Sequence, residues 1–382
     1  LRKVQETKPK NLPFFSELPA YFSRLESQKR VRSLDPPSGL DLCSNDYLGL
    51  SQNLKLQEAL KEGIDLYGAG STASRLVRGH RTVFEELESE FSNWVHSESS
   101  LFLANGYAAN VGTISCVADP SYMIFCDRKN HASLMDGVRL SGGKKIYYRH
   151  CDMEHLEDLL KKYSGHANKM IVTESIFSMD GDASDLPALL SLKEKYGCLL
   201  YLDEAHSIGV FGEKGAGLSS AQVPSEISNI DFRMSSFGKA LGLEGAMVST
   251  SADARKYLLH SARTFVFSTA PMPAIAHAGL TSVQLVQEMN EERKKVLALA
   301  EHLRSSLQAI GKDTGNSSSQ IVPILLGSEA HALDLADKLA GEGFQAKAIR
   351  PPTVDVSRIR VSINAKVEKN DLDRFIRIIQ EN

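Results

Sequence analysis

Long apolar runs are missing from this 382-residue chain, and no stretch approaches the ~18 residues that a membrane-spanning helix requires. Charge of one sign is missing too. Lys+Arg number 44 against 47 Asp+Glu, a net charge of −3, so no global field draws the chain to nucleic acid or an anionic membrane. Cysteine is sparse, with five residues scattered at 43, 116, 126, 151 and 198 and no C-x-x-C pair. That pattern argues against a zinc cluster and for reduced thiols. The opening stretch "LRKVQETKPKNLPFF" is polar and proline-broken, without a signal-peptide h-region, and the expected compartment is cytoplasmic. A phosphate loop of the form G-x-x-x-x-G-K-[ST] is also lacking. Its absence matters because "DEAH" at 203–206 resembles a helicase box. Gly238-Lys239 is followed by Ala240, and Arg233 stands where the loop's first glycine belongs, so that reading falls.

What is present alternates between two periods. Residues 12–35 read as a charged helical arm ended by Pro36-Pro37, and "LDLCSNDYLGL" as a short strand entering a turn. In "RTVFEELESEFSNWVH", the residues Val83, Phe84, Leu87, Phe91, Trp94 and Val95 share one broad helical face. "SSLFLA", "YMIFCD", "KMIVTES", "CLLYLDEA" and "GAMVST" are short apolar runs, each bounded by polar or glycine-rich loops. Helices are predicted between them at 132–140, 152–163 and 185–196. Buried strands alternating with helices predict an α/β fold, a mostly parallel sheet with helices on both faces and ligands at the carboxyl ends of the strands. A long helical pattern at about 272–310 and a "DTGNSSSQ" loop precede a compact α+β region with helices at 329–341 and 368–380. The expected organisation is an arm over 1–40, a large α/β domain over 41–290 and a small α+β domain over 291–382.

Chemistry gathers at the ends of the predicted strands. "CLLYLDEAHSIG" ends in Asp203, with His206 three residues on, where α/β proteins build sites. In "SSFGKALGLEG", Lys239 is boxed between small residues after a predicted strand. A surface lysine is the ordinary reading of one such residue. A crowded, desolvated one has its pKa pushed down and becomes a nucleophilic amine suited to Schiff-base chemistry. "ANGYAANVG" sets Gly106 and Tyr107 at a helix start whose open amides can seat a phosphate. "RKNHASLMDG" places His131, and "SIFSMDGD" places Ser178, in loops after strands. "HCDMEH" at 150–155 lacks metal-ligand spacing and reads as a solvated helix start, so no metal is expected.

Taken in order from "SNDYLGL" to "RIRVSIN", these motifs resemble the fold-type I pyridoxal-phosphate enzymes and, within them, the α-oxoamine synthases. The resemblance implies that Lys239 is the Schiff-base lysine and that Asp203 pairs with the pyridinium nitrogen of pyridoxal 5'-phosphate. It implies that His131 stacks on the ring, and that His206 and Ser178 attend its phenolic oxygen. Gly106 and Tyr107, with Ser236, would seat the phosphate. "FSTAPMP" matches a segment that in relatives reaches the neighbouring subunit's phosphate, through Ser268 and Thr269 here, which implies a homodimer. The glycine-rich "YGAGSTASRLVRGH" would line the site from the partner, with a plain flexible turn as the rival reading.

The family's members share a decarboxylative condensation of an amino acid with an acyl thioester, carried by coenzyme A or a carrier protein. "GKALGLEGAMVS" lacks the Gly-Gly-Tyr that usually follows the lysine in glycine-using members. "AIRPPTVDVSRIRVSINA" has the double-proline form usual in the members that join L-alanine to a pimeloyl thioester in biotin biosynthesis. By that resemblance Thr353 contacts substrate and Arg360 takes the amino acid's carboxylate. The arm lacks the arginine-rich segment usual at the acyl end in these relatives. Members using glycine or serine, and a non-catalytic cofactor-binding partner subunit, stand as the alternatives.

Overall fold

The computed structural model describes residues 13–381. They fall into two compact units, one up to Ser38 and the other from Gly39 onward. The first carries α1 (Pro13–Ser27), a helix with no buried side chain. The sequence led us to expect a helix to residue 35. It stops at Ser27 because Lys29 takes a left-handed φ of 51° while the Arg30 amide closes back on the Leu25 carbonyl.

The second unit opens with the two-residue β1 (Leu40–Asp41). Then come β2 (Ser99–Leu103), β3 (Met123–Asp127), β4 (Lys144–Tyr148), β5 (Lys169–Glu174), β6 (Leu199–Asp203), β7 (Phe232–Ser236) and β8 (Ala246–Thr250). These seven form one sheet in the order β2-β8-β7-β6-β5-β3-β4. β8 runs against both of its neighbours and the other pairings are parallel. β5 is buried along its whole length, which is why it reads as a continuous apolar run and not as an alternating one. Along β5 and β6, Ile171, Leu200 and Leu202 face one core, and Met170, Val172 and Tyr201 face another on the opposite side of the sheet.

Helices cover both faces. α2 (Leu54–Tyr67) is capped by Asn53, and α3 (Thr82–Trp94) buries Val83, Phe84, Leu87, Phe91 and Trp94 as its spacing predicts. Each of those side chains contributes roughly 1.5–3 kcal/mol on leaving water. α4 (Gly106–Val117) is capped by Asn105, α5 (Ala132–Ser141) by His131, α6 (Met153–Lys162) by Asp152 and α7 (Leu186–Tyr196) by Asp185. β4 escaped the sequence reading because it is an edge strand in which only Ile146 and Tyr148 are buried while Lys144, Lys145 and Tyr147 are exposed. The long helical pattern near 272–310 is two helices, Pro273–Glu288 and Asn290–Ala309, broken at Met289.

Beyond them, β9 (Ile321–Leu325), β10 (Phe344–Gln345), β11 (Lys347–Ile349) and β12 (Arg358–Ser362) complete the strands. β11, β12 and β9 form an antiparallel sheet around Val322, Ile324, Ile359, Val361 and Phe375. β1 pairs in parallel with β10. Among the described residues no helix is long and apolar enough to cross a membrane. In the large sheet β4 lies on one side of β3 and β5 on the other, so the chain's connections diverge there and open a crevice beyond the strand ends.

Candidate active site

The carboxyl ends of β3, β5, β6 and β7 deliver the loop to His131, then Glu174, Asp203 and Ser236 in turn. With Lys239 and the start of α4 they enclose a cavity of about 170 Å³. A larger depression of about 310 Å³ lies at the other strand ends, around Leu199, Asp231 and Phe232. That depression is lined by none of the residues singled out in the sequence. Gly106, Tyr107, His131, Asp203, His206, Ser236 and Lys239, seven of the residues singled out in the sequence, line that smaller space together.

Lys239 is half-buried, and its amine makes no hydrogen bond or ion pair among the described residues. Burial lowers its pKa; Asp203 and Glu174 oppose the shift, and Arg360 adds to it. Asp203 is held at both oxygens, Oδ1 accepting from the Ala205 amide at 2.8 Å and Oδ2 from Asn110 Nδ2 at 2.8 Å. His206 is buried, with Nδ1 2.7 Å from the Tyr47 hydroxyl. Its pKa lies well below the ordinary value, first through burial and then through Lys239, Arg360 and His131. At the head of α4, Asn105 takes the Ala108 amide, and the Gly106 and Tyr107 amides ahead of it make no hydrogen bond among the described residues. The Tyr107 hydroxyl donates to Asp136. Ser236 Oγ accepts the Gly238 amide at 3.2 Å.

Other predicted residues stand apart from this lining. Ser178 sits in the turn after β5, its carbonyl accepting Arg360 Nε. Arg360 itself is buried, its other nitrogens donating to Ser362 Oγ at 2.7 Å and Asn45 Oδ1 at 3.1 Å. It approaches the cavity closely enough to act on the charge of Lys239 and His206. Thr353 is exposed in the turn after the cis Pro351-Pro352 bond. Ser268 and Thr269 line a separate crevice with Arg75 and Phe265.

The structure adds Glu174, Asn110 and Ser133 to the cavity, which the sequence reading missed. Glu174 pairs in register with Asp203 across β5 and β6 and accepts the His131 amide. The signal was available, since an acidic residue closing a buried parallel strand is the same feature that singled out Asp203. Burial, reinforced by Asp203, raises the Glu174 pKa well above the ordinary carboxylate value. Asn110 lies one helical turn beyond Gly106, a polar residue buried in an apolar helix.

The segment 150–155 needs a correction. His150 is not solvated, for its Nδ1 meets Asp127 and its Nε2 meets Asp182, each at 2.8 Å. Cys151 joins Asp127 and His150 within 4.8 Å, a grouping that sequence spacing could not show because Asp127 comes from β3. Burial opposes a charge on His150, yet the two carboxylates outweigh it and push its pKa up to about 12. With a carboxylate on each ring nitrogen, His150 ties the end of β3 to the turn after β5.

The family model for aminotransferase class I and II matches residues 37–379. A protein of Bacillus cereus (strain B4264) named "Putative 8-amino-7-oxononanoate synthase" is 44% identical over 349 residues, 90% of this chain and 88% of that one. A protein of the same name from Bacillus anthracis is 40% identical over 390 residues, covering 97% of this chain and 98% of its own. Among solved structures, 8-amino-7-oxononanoate synthase from Francisella tularensis superposes with a TM-score of 0.80 at 28% identity, covering 90% of this chain and 97% of that one. Serine palmitoyltransferase of Sphingomonas wittichii does so with a TM-score of 0.89 at 25% identity, covering 97% and 98%. The chain therefore belongs to the aminotransferase class I and II family and, within its fold-type I enzymes, to the α-oxoamine synthases, acyltransferases that depend on pyridoxal phosphate.

Proposed function

We propose that this chain condenses L-alanine with a pimeloyl thioester, releasing CO2 and the free thiol carrier and giving 8-amino-7-oxononanoate for biotin synthesis. The observation that carries the choice of substrates is the shared name of its 40–44% identical relatives. The chemistry of the donor set fits pyridoxal phosphate: an unpaired amine, a carboxylate fixed at both oxygens and a helix N-terminus share one cavity. When bound, that cofactor supplies a ring that accepts the electrons left behind when the substrate loses its α-proton.

The chain's own residues do the rest in this reading. Lys239, its pKa lowered by burial, carries the cofactor and then moves the α-proton, which calls for a base with a pKa near working pH. Asp203, held at both oxygens by Asn110 and the Ala205 amide, would pair with the ring nitrogen of the bound cofactor. The Gly106 and Tyr107 amides and the Ser236 hydroxyl seat the phosphate. His131 would cover the ring face, and His206 with Ser178 would serve its oxygen. Arg360 takes the amino acid's carboxylate beside Thr353, while Ser268 and Thr269 serve the partner subunit's phosphate in a homodimer. We assign the large α/β part to 41–290 and the small α+β part to 291–382, after the N-terminal arm over 1–40. Five free cysteines support a reducing, cytoplasmic setting.

The test is the visible spectrum of the purified protein, titrated separately with L-alanine, glycine and L-serine. A band that shifts with alanine at the lowest concentration supports the reading, and pimeloyl thioester should then release CO2. Preference for glycine or serine keeps the reaction type and overturns the substrate. A protein that stays colourless with added pyridoxal phosphate overturns both.

A further inference from the structure

Asn110 and Ser133 are buried side chains, and each both accepts and donates, so their bonds run in one fixed sequence. The Tyr201 hydroxyl donates to Asn110 Oδ1 at 2.8 Å. Burial raises the Tyr201 pKa well above its ordinary value, so that hydroxyl stays a donor. The amide of Asn110 is thereby oriented, and its two Nδ2 hydrogens go to Asp203 Oδ2 and to Ser133 Oγ, each at 2.8 Å. Ser133 Oγ has accepted one bond and has one hydrogen to give, and its remaining neighbour is His131 Nδ1 at 2.8 Å. The Ser133 backbone amide points at the same nitrogen, 3.3 Å away. A backbone N–H can only donate, so Nδ1 must present a lone pair.

We infer that Asn110 and Ser133 are positioning residues that lock His131 as the neutral imidazole with its proton on Nε2, while the same Asn110 amide fixes the Asp203 carboxylate. Protonating His131 would require a hydrogen on Nδ1, where two donors already converge, so the ring resists becoming an imidazolium. The groups facing it from other elements are Lys239, which disfavours a charge, Asp203, which favours one, and the neighbouring His206; Glu174 holds the His131 backbone amide. Burial is the largest influence and lowers the His131 pKa, in the direction the hydrogen bonds demand.

The use of this lock rests on the function proposed above. A ring held over a protonated pyridine nitrogen must not itself be positive, because two stacked cations repel. One asparagine thus serves two partners of the cofactor ring: it holds the carboxylate that favours the nitrogen's proton, and through Ser133 it keeps the covering imidazole uncharged.

The test is a long-range proton–nitrogen spectrum of the full-length protein labelled with 15N-histidine, with the His131 signals assigned by their loss in His131→Gln. The expected result is a neutral ring protonated at Nε2 at pH 7, titrating below the ordinary value of 6.5. Ser133→Ala and Asn110→Ala should each raise that midpoint by about half a unit to one unit. Ser133→Thr, which keeps the hydroxyl, should restore it even if the alanine variants fold poorly. An Nδ1–H tautomer, an imidazolium at pH 7, or a midpoint indifferent to Ser133→Ala would overturn the inference. The expected tautomer in a protein that takes up no pyridoxal phosphate would uphold the lock and sink the proposed function instead.

Discussion

Lys239 and Glu174 both lie close to Asp203, and burial moves both toward their neutral forms, the amine by a lowered pKa and the carboxyl by a raised one. Lys239→Ala should keep the fold, checked by circular dichroism, and lose about 10²–10⁴-fold in turnover, the usual contribution of a positioned proton carrier. Glu174 makes a prediction about pH. A carboxyl whose folded pKa is raised holds a proton that the unfolded chain releases, so its contribution is full below the unfolded value of 4.5 and declines as pH rises. Glu174→Gln, which mimics the neutral acid, should therefore gain in urea midpoint over the native protein as pH rises above 4.5; an unchanged gap would refute the assignment. At this scale sequence reasoning found the residues that chemistry marks by type and by position at a strand end, among them Lys239, Asp203 and His131. Asn110 and Ser133 were not legible, since an asparagine and a serine on two helices carry no mark until the fold brings them within 2.8 Å.

The turn after β5 shows what elements add. Four side chains from three places hold it: Arg358 on the Met179 carbonyl and Asp180, Lys129 on Asp180, Arg360 on the Ser178 carbonyl and His150 on Asp182. Gly181 fits there with φ of 68°, and a Cβ would stand 2.0 Å from the Ile321 carbonyl oxygen. Gly181→Ala should cost about 2 kcal/mol or more from backbone strain and contact. It should also raise KM for the amino acid, because Arg360 leans on this turn. His150→Ala leaves two buried carboxylates unpaired and should cost about 3 kcal/mol at neutral pH. A histidine with a raised pKa stabilises fully below its unfolded value of 6.5 and loses that contribution toward about 12, so the penalty should shrink as pH climbs through that window. Denaturant melts at several pH values would show it. The strands of the large sheet were legible because each is a buried apolar run. The end of α1 was not, because Lys29 turns into the left-handed region without a glycine to announce it.

For the whole molecule, the proposed homodimer makes a claim on surface composition. Leu76, Val77 and Phe267 are exposed large apolar residues, and the segments that carry them are tied together, Ser71 and Ala73 bonding to Ala270. Such a surface is the kind a partner covers. Sedimentation should give twice the 41.9 kDa chain mass. Phe267→Asp should shift the particle toward a single chain and weaken retention of pyridoxal phosphate. A single chain that retains the cofactor as tightly would rule out Ser268 and Thr269 as contributors from a partner.

The alternation of buried strands and amphipathic helices can be read from the residues alone, because periodicity follows directly from which faces meet water. So can the reactive residue types, because an amine, a carboxylate and an imidazole are chosen for chemistry that few other side chains supply. Which of them share a cavity, why His150 is clamped between two carboxylates and not solvated, and which way the hydrogen bonds run from Tyr201 to His131 emerge from the folded chain. Those are matters of burial and donor direction between residues far apart in the chain, and they exist only once the sheet has brought its strand ends together.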